Sequence, residues 1–258
     1  MITLTSDFGL KDPYVAEIKG VILTISPNST LVDITHQVEK FNVRAGAFTL
    51  ASAAPYFPDG TVHLAVVDPG VGTNRRAIVI MTKKGYFVGP DNGVLVLASH
   101  SQGIEHVYQL AKSKFMMPKV SCTFHGRDIF APAAAYLDKG VQPAEFGPEI
   151  DDPVTPEFVK VKFDSGSLTG EVLDVDGFGN IITNINEKDL VCKEGQTVNV
   201  EFAASKFQLT FGKAYAQAKP KEPILLVGSH GFLEIALNQA SAAEKFHVKA
   251  RDKIKVVA

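Results

Sequence analysis

Strand-like and helical segments take turns along the first 147 residues, and that alternation constrains the fold more than any other feature of the chain. A short apolar strand at 2–5 breaks at Ser6-Asp7-Phe8-Gly9. Tyr14, Ile18, Val21, Ile22 and Ile25 then recur at helical spacing as one face of a helix that stops before Pro27. A second strand at 31–34 contains Asp33, and a helix over 43–54 is closed by Pro55 and Pro58-Asp59-Gly60. Strands at 61–67, 77–81 and 86–88 follow, then a helix through Ser99 and another over 129–137. Such a pattern builds an α/β domain around a largely parallel central sheet. The stretch 147–156 is acidic, holds three prolines and reads as a stiff, exposed linker. Beyond it the texture changes to short β-branched or aromatic runs at 159–163, 168–174, 197–202, 207–211, 224–227 and 254–257. We therefore expect an N-terminal α/β catalytic domain at 1–147 and a smaller C-terminal all-β, barrel-like domain at 158–258.

Charge narrows the range of partners. A net charge of −2 and a pI near 6.4 supply no concentrated basic footprint for nucleic acid or an anionic membrane surface, so small-molecule chemistry is the better expectation. No apolar run approaches the roughly 20 residues of a membrane helix. Cys122 and Cys192 form no CxxC pair, and residues 1–7 lack a basic region before an apolar core, which together suggest a cytoplasmic protein. No metal-ligand spacing such as HExxH, paired CxxC or a calcium loop occurs, so neither a metal nor a cofactor is expected.

The chemistry concentrates at Val67-Asp68-Pro69-Gly70-Val71-Gly72-Thr73-Asn74-Arg75-Arg76. A strand there ends in an acid, turns through Pro and two Gly, and presents arginines before the next strand begins. Ligands sit at the carboxyl ends of strands in such sheets, and Arg75 is placed to fold back onto Asp68. The same stretch also fits a plain turn with a surface arginine. Gly89-Pro90-Asp91-Asn92-Gly93 reads as a helix cap. In Thr123-Phe124-His125-Gly126-Arg127-Asp128, a histidine beside a glycine opens a helix and sets its imidazole in a cleft, near free amide donors. Two loops of the second domain, Asp176-Gly177-Phe178-Gly179-Asn180 and Gly228-Ser229-His230-Gly231-Phe232-Leu233-Glu234, fit either hairpin turns or a nucleoside site. In the first, an acid, a ring and an amide share one loop, as a base and its sugar would require.

Taken together with Val32-Asp33-Ile34-Thr35-His36, these motifs resemble, in order and nearly end to end, the adenosine-forming S-adenosyl-L-methionine hydrolases. These are also called SAM hydroxide adenosyltransferases, and their relatives include fluorinases and chlorinases. The resemblance implies an N-terminal α/β domain and a C-terminal barrel-like domain. It also implies a homotrimer, with substrate bound between the first domain of one subunit and the second domain of its neighbour. A water-handling group of Asp, Arg and His falls on Asp68, Arg75 and His125, and Asp7 falls on the ribose hydroxyls. Asn180 and Phe178 address the adenine, Asp176 and Ser229 the ammonium and carboxylate of the methionine part, with Tyr215 and Glu234 as further contacts. Halide-using relatives typically carry tyrosine at the position of Asp68 and serine at that of Gly126, so this chain resembles a hydrolase rather than a halogenase. Ile182 stands where fluorinases have tryptophan. The alternatives are a halide-dependent adenosyltransferase, a metal-dependent phosphoesterase using Asp7, Asp68 and His125, and a non-catalytic protein that binds S-adenosylmethionine or adenosine.

Overall fold

The computed structural model describes residues 1–164, 166–202 and 205–257, which form two compact units, Met1–Pro156 and Glu157–Ala258. In the first unit, β1 (Ile2–Ser6), β2 (Leu31–Thr35), β3 (Thr61–Val66), β4 (Ala77–Thr82), β5 (Gly85–Pro90) and β6 (Ile104–Gln109) make one sheet in the order β2-β1-β3-β5-β4-β6. The pairings β2/β1, β1/β3 and β3/β5 are parallel, while β4 runs antiparallel to both of its neighbours. The expected α/β class and largely parallel sheet are thus present, with one reversed strand. β4 and β5 are separated only by Lys83 and Lys84, and so short a connection joins strands only as an antiparallel hairpin.

Helices cover both faces of this sheet, which is why β3 is buried along its whole length. α1 (Tyr14–Ile25) packs with α4 (Ala131–Asp138) on one side, and α2 (Val43–Ala53) with α3 (Val96–Gln102) on the other. The first side holds the main core, where Ile2, Leu4, Val62, Leu64 and Val66 meet Ile18, Ile22, Phe130 and Ala134. Burying each large aliphatic side chain there contributes about 1.5–3 kcal/mol. α2 is capped by Asn42, whose side-chain oxygen accepts from the Ala45 amide at 3.1 Å.

Two expectations for this unit need correction. Tyr14 does not join the buried face of α1; it is substantially exposed, while Val15, Ile18 and Ile22 carry the packing. Nor does Asp91 or Asn92 cap α3. Asp91 is buried and receives the Arg76 Nε at 2.8 Å and the Val154 amide at 2.8 Å. Asn92 Oδ1 instead accepts from Val94 N at 3.1 Å in a local Asx turn. The segment 147–156 is largely exposed but is no free spacer. Gln109 N donates to Pro148 O at 2.9 Å, Ile150 N to Val107 O at 2.9 Å, and Arg76 Nη1 to Asp152 Oδ1 at 2.6 Å.

The second unit is a closed barrel. β8 (Ser167–Val175), β9 (Ile181–Asn186), β10 (Thr197–Phe202), β11 (Ser205–Phe211), β12 (Pro223–Val227), β13 (Phe232–Leu237) and β14 (Lys253–Val257) form a ring in the order β8-β9-β13-β12-β11-β10-β14, and β14 returns to β8. β7 (Lys162–Asp164) is an outlying hairpin partner of β8, shifted from the strand expected at 159–163. Closure leaves the seven barrel strands without free edges, and Val172, Ile181, Val200, Leu225, Leu233, Ile235 and Ile254 fill the interior. Among the described residues no helix is long and apolar enough to cross a membrane.

Candidate active site

β1 and β3 run parallel, so their carboxyl ends lie at one edge of the sheet; Asp7 directly follows β1, and Asp68 follows β3 after Val67. His125 reaches the same place from a loop. Its residue immediately precedes a single π-helical turn, Gly126–Phe130, that leads into α4. Such turns are rare inside α-helical segments and frequent at functional sites. The three side chains line a cavity of about 190 Å³ together with Phe8, Tyr14, Lys40, Phe41, Val66, Val71, Thr123, Phe124 and Gly126.

Arg75 joins the group together. Its Nε donates to Asp68 Oδ1 at 2.9 Å and to Oδ2 at 3.1 Å, and its Nη2 also donates to Oδ2. The same Nη2 lies 2.9 Å from His125 Nδ1. An arginine only donates, so Nδ1 accepts, and the neutral imidazole carries its proton on Nε2. Both partners of the ion pair are well buried, which limits screening by solvent. A carboxylate offers about four lone-pair sites. With three Arg75 contacts on Asp68, room remains for one further donor. Burial first, then the Arg75 charge, push the His125 pKa below its ordinary value, against the carboxylates of Asp68 and Asp128 and a backbone contact at Ser121. His125 is therefore neutral at pH 7.

The loops carrying these groups are fastened to each other. Gly72 has φ +78°, and a Cβ on it would stand 2.3 Å from the Cys122 carbonyl oxygen, so only glycine lets the two loops approach. Asp7 Oδ2 accepts from the Phe41 amide at 2.8 Å. Phe41 adopts φ +64°, an uncommon conformation for a bulky residue, while its ring stays exposed. Phe8, Tyr14 and Phe124 form an aromatic wall with centroids 5.2–5.8 Å apart. Neither Phe41 nor this wall is legible as a site feature in the sequence. Only the run of aromatics near Asp7 hinted at them, and Tyr14 fitted the helical period equally well.

The remaining nominated residues belong to the second unit. Asp176, Phe178 and Asn180 occupy the β8–β9 turn, where Asp176 Oδ1 accepts from the amides of Phe178 and Asn180, each at 2.9 Å, and Oδ2 from Asn180 Nδ2 at 2.9 Å. That turn buries Asn180 and leaves the Phe178 ring 83% exposed. Ser229 sits in the β12–β13 turn. Glu234, on β13, is buried and accepts from the Tyr215 hydroxyl at 2.8 Å. Burial, and then the Asp176 charge, raise the Glu234 pKa against that hydrogen bond, and the Tyr215 hydroxyl is pushed up to about 12 by burial and by Glu234. Asp176, Asn180, Tyr215 and Glu234 thus form one electrostatic neighbourhood. Among the described residues no group of three or more His, Cys, Asp or Glu side chains could hold a metal ion.

An α/β unit with an acid, a guanidinium fork and a neutral imidazole at its strand ends, followed in the chain by a closed β-barrel unit, defines a protein that can hold and polarise a small nucleophile. Comparison with known proteins makes that class specific. Residues 2–147 match the SAM hydroxide adenosyltransferase N-terminal domain, and residues 170–255 match the corresponding C-terminal domain. A Thermus thermophilus protein named (R)-S-adenosyl-L-methionine hydrolase is 40% identical over 252 residues, covering 95% of this chain and 94% of its own. A fluorinase from an Actinoplanes species is more distant, 27% identical over 283 residues, with 97% and 95% covered. The crystal structure of an uncharacterized conserved protein from Thermotoga maritima superimposes with a TM-score of 0.88 at 39% identity, covering all of both chains. The chain belongs to the SAM hydroxide adenosyltransferase family.

Proposed function

We propose that this protein hydrolyses S-adenosyl-L-methionine to adenosine and L-methionine, with water attacking carbon 5′ in line with the departing sulfur. The observation that carries the reading is the Asp68–Arg75–His125 arrangement beside the cavity that Asp7 also lines. The leaving group is a neutral thioether expelled from a sulfonium, so it requires no proton and the chemical demand falls on the nucleophile. Asp68, held by Arg75, accepts a hydrogen bond and finally a proton from the water, while His125 makes a second contact. Fixing water in that geometry supplies effective molarities on the order of 10⁵ M or more.

Asp7 takes the ribose hydroxyls, Phe178 and Asn180 the adenine, and Asp176 and Ser229 the two ends of the methionine part, with Tyr215 and Glu234 alongside. A cavity of about 190 Å³ is smaller than the roughly 300–1,000 Å³ of complete ligand sites, so much of the substrate needs further cover. The exposed Phe178 ring and its loop supply that cover when offered by a neighbouring copy, in a cytoplasmic homotrimer that uses no metal or cofactor.

Incubation with S-adenosylmethionine in oxygen-18 water, followed by mass spectrometry, tests the proposal. Adenosine carrying the label in its 5′-hydroxyl is expected, with no dependence on halide. Methylthioadenosine or adenine as the main product overturns it.

A further inference from the structure

Asp128 is the most buried carboxylate near the site, at 1% exposure, and the reaction assigns it no contact with substrate. Its Oδ2 accepts from Ser121 N at 2.8 Å and from Ser121 Oγ at 2.7 Å, and its Oδ1 from Arg127 Nε at 2.7 Å. Its own amide donates to Phe124 O at 3.1 Å, and its carbonyl accepts from Met117 N at 2.9 Å. Ser121 Oγ accepts in turn from Phe124 N at 3.1 Å. One residue inside the π-turn therefore closes the whole 121–128 loop, to which His125 also belongs. Arg127 anchors that closure to α1 through Glu17 Oε2 at 2.8 Å, its guanidinium 5.2 Å from the Phe124 ring centre.

We propose that Asp128 is a positioning residue that clamps the 121–128 loop so that the His125 imidazole meets Arg75. The inference rests on reading His125 as part of the water-handling group. Burying a carboxylate is costly unless it is fully paired, and this one has four donor contacts from two residues. Burial works against its ionised form, yet the bonds from Arg127 and Ser121 hold the carboxyl below its usual range, so the clamp is charged at neutral pH. The groups facing His125 are Arg75 and Asp68 from the β3–β4 loop and Asp128 from the π-turn, with Asp7, Lys40 and Tyr14 around the shared cavity. Of these charges, Asp128 alone belongs to the His125 loop and stands outside the cavity lining.

The test compares Asp128→Asn, Ser121→Ala and His125→Ala with the wild type, measuring kcat, KM for S-adenosylmethionine and the His125 titration by NMR. Displacement of a reacting group by about an ångström can cost on the order of 10²-fold. Asp128→Asn is expected to lower kcat by about 10- to 10²-fold with KM little changed, and to move the His125 midpoint to lower pH because a neighbouring negative charge is gone. Ser121→Ala, which keeps the charge, should lower kcat by a smaller factor and leave the midpoint in place; it also serves if Asp128→Asn does not fold. Normal kcat in folded Asp128→Asn, or loss only in proportion to the unfolded fraction with an unmoved midpoint, overturns the inference. So does a Ser121→Ala enzyme with normal kcat should Asp128→Asn fail to fold. If His125→Ala is itself fully active, the reading of the active site fails instead.

Discussion

Replacing Arg75 by lysine keeps the charge and removes the fork. The guanidinium bridges two residues at once, with Nε on both Asp68 oxygens at 2.9 and 3.1 Å and Nη2 shared between Asp68 and His125 Nδ1, the latter at 2.9 Å. A lysine ammonium is a single point on a flexible stem and cannot reproduce that planar spread. At least one Asp68 contact and the His125 contact are lost. Hydrogen bonds to charged groups contribute about 1.5–3 kcal/mol each. Taking the lower value twice gives about 3 kcal/mol, and since about 1.4 kcal/mol is tenfold in rate, kcat should fall by roughly 10²-fold. The pair is well buried, so solvent screening discounts this little. Single-turnover conversion of S-adenosylmethionine is the assay, with adenosine affinity by calorimetry as the control expected to stay near wild type. An Arg75→Lys enzyme within about threefold of wild-type kcat would refute the argument that geometry, rather than charge, is what Arg75 supplies.

Asp68→Ala should lower kcat by about 10² or more while adenosine affinity, measured by calorimetry, changes little. Gly72→Ala should cost about 1–3 kcal/mol in denaturant unfolding and also lower kcat, because the added Cβ meets the Cys122 carbonyl at 2.3 Å. Gly140→Ala, at φ +91° with open space around it, should destabilise but keep full activity, and equal kcat losses in the two variants would count against loop registration. His63 is buried in β3, bonded to Thr3 Oγ1 at 2.8 Å and stacked on Phe87, and burial pushes its pKa down to about 4. Its contribution to stability is complete above about pH 6.5 and is lost as pH falls toward 4, where the unfolded chain binds the proton more readily, by about 3 kcal/mol in all. Denaturant unfolding of His63→Gln across that window should show correspondingly weaker pH dependence, and curves parallel to wild type would contradict the assignment.

What sequence reveals here follows from where the information lies. The strands at 2–5, 61–67 and 77–81 were legible because runs buried on both faces are continuously apolar, and the Pro and Gly between them mark turns. β9 and β13 are legible only as flanks of the loop motifs, because the buried polar residues Thr183, Asn184 and Glu234 break their apolar pattern. β6 carries no such signal, because Glu105, His106 and Gln109 dilute it on the sheet edge. For the candidate site, Asp68, Arg75 and His125 are legible as an acid, a base and an imidazole in glycine-containing motifs. Phe41 is not, since its positive φ and the hydrogen bond that its N–H donates to Asp7 are properties of the tertiary structure. Asp128 was visible only as part of a motif; nothing local indicates that it reaches back to Ser121.

The contact between Gly72 and the Cys122 carbonyl also bears on how the site comes into being. Asp68 and Arg75 share one loop, but Arg75 and His125 are 50 residues apart and Arg127 and Glu17 110 apart, so no short fragment contains the whole candidate site. Loops of that length close slowly because chain entropy must be overcome before their contacts reward it. During refolding, helical signal can return while the carboxylate and the imidazole are still strangers. Hydrolysis then reports on the final closure of the first unit, and turnover becomes a more stringent gauge of native topology than any spectroscopic measure of secondary structure.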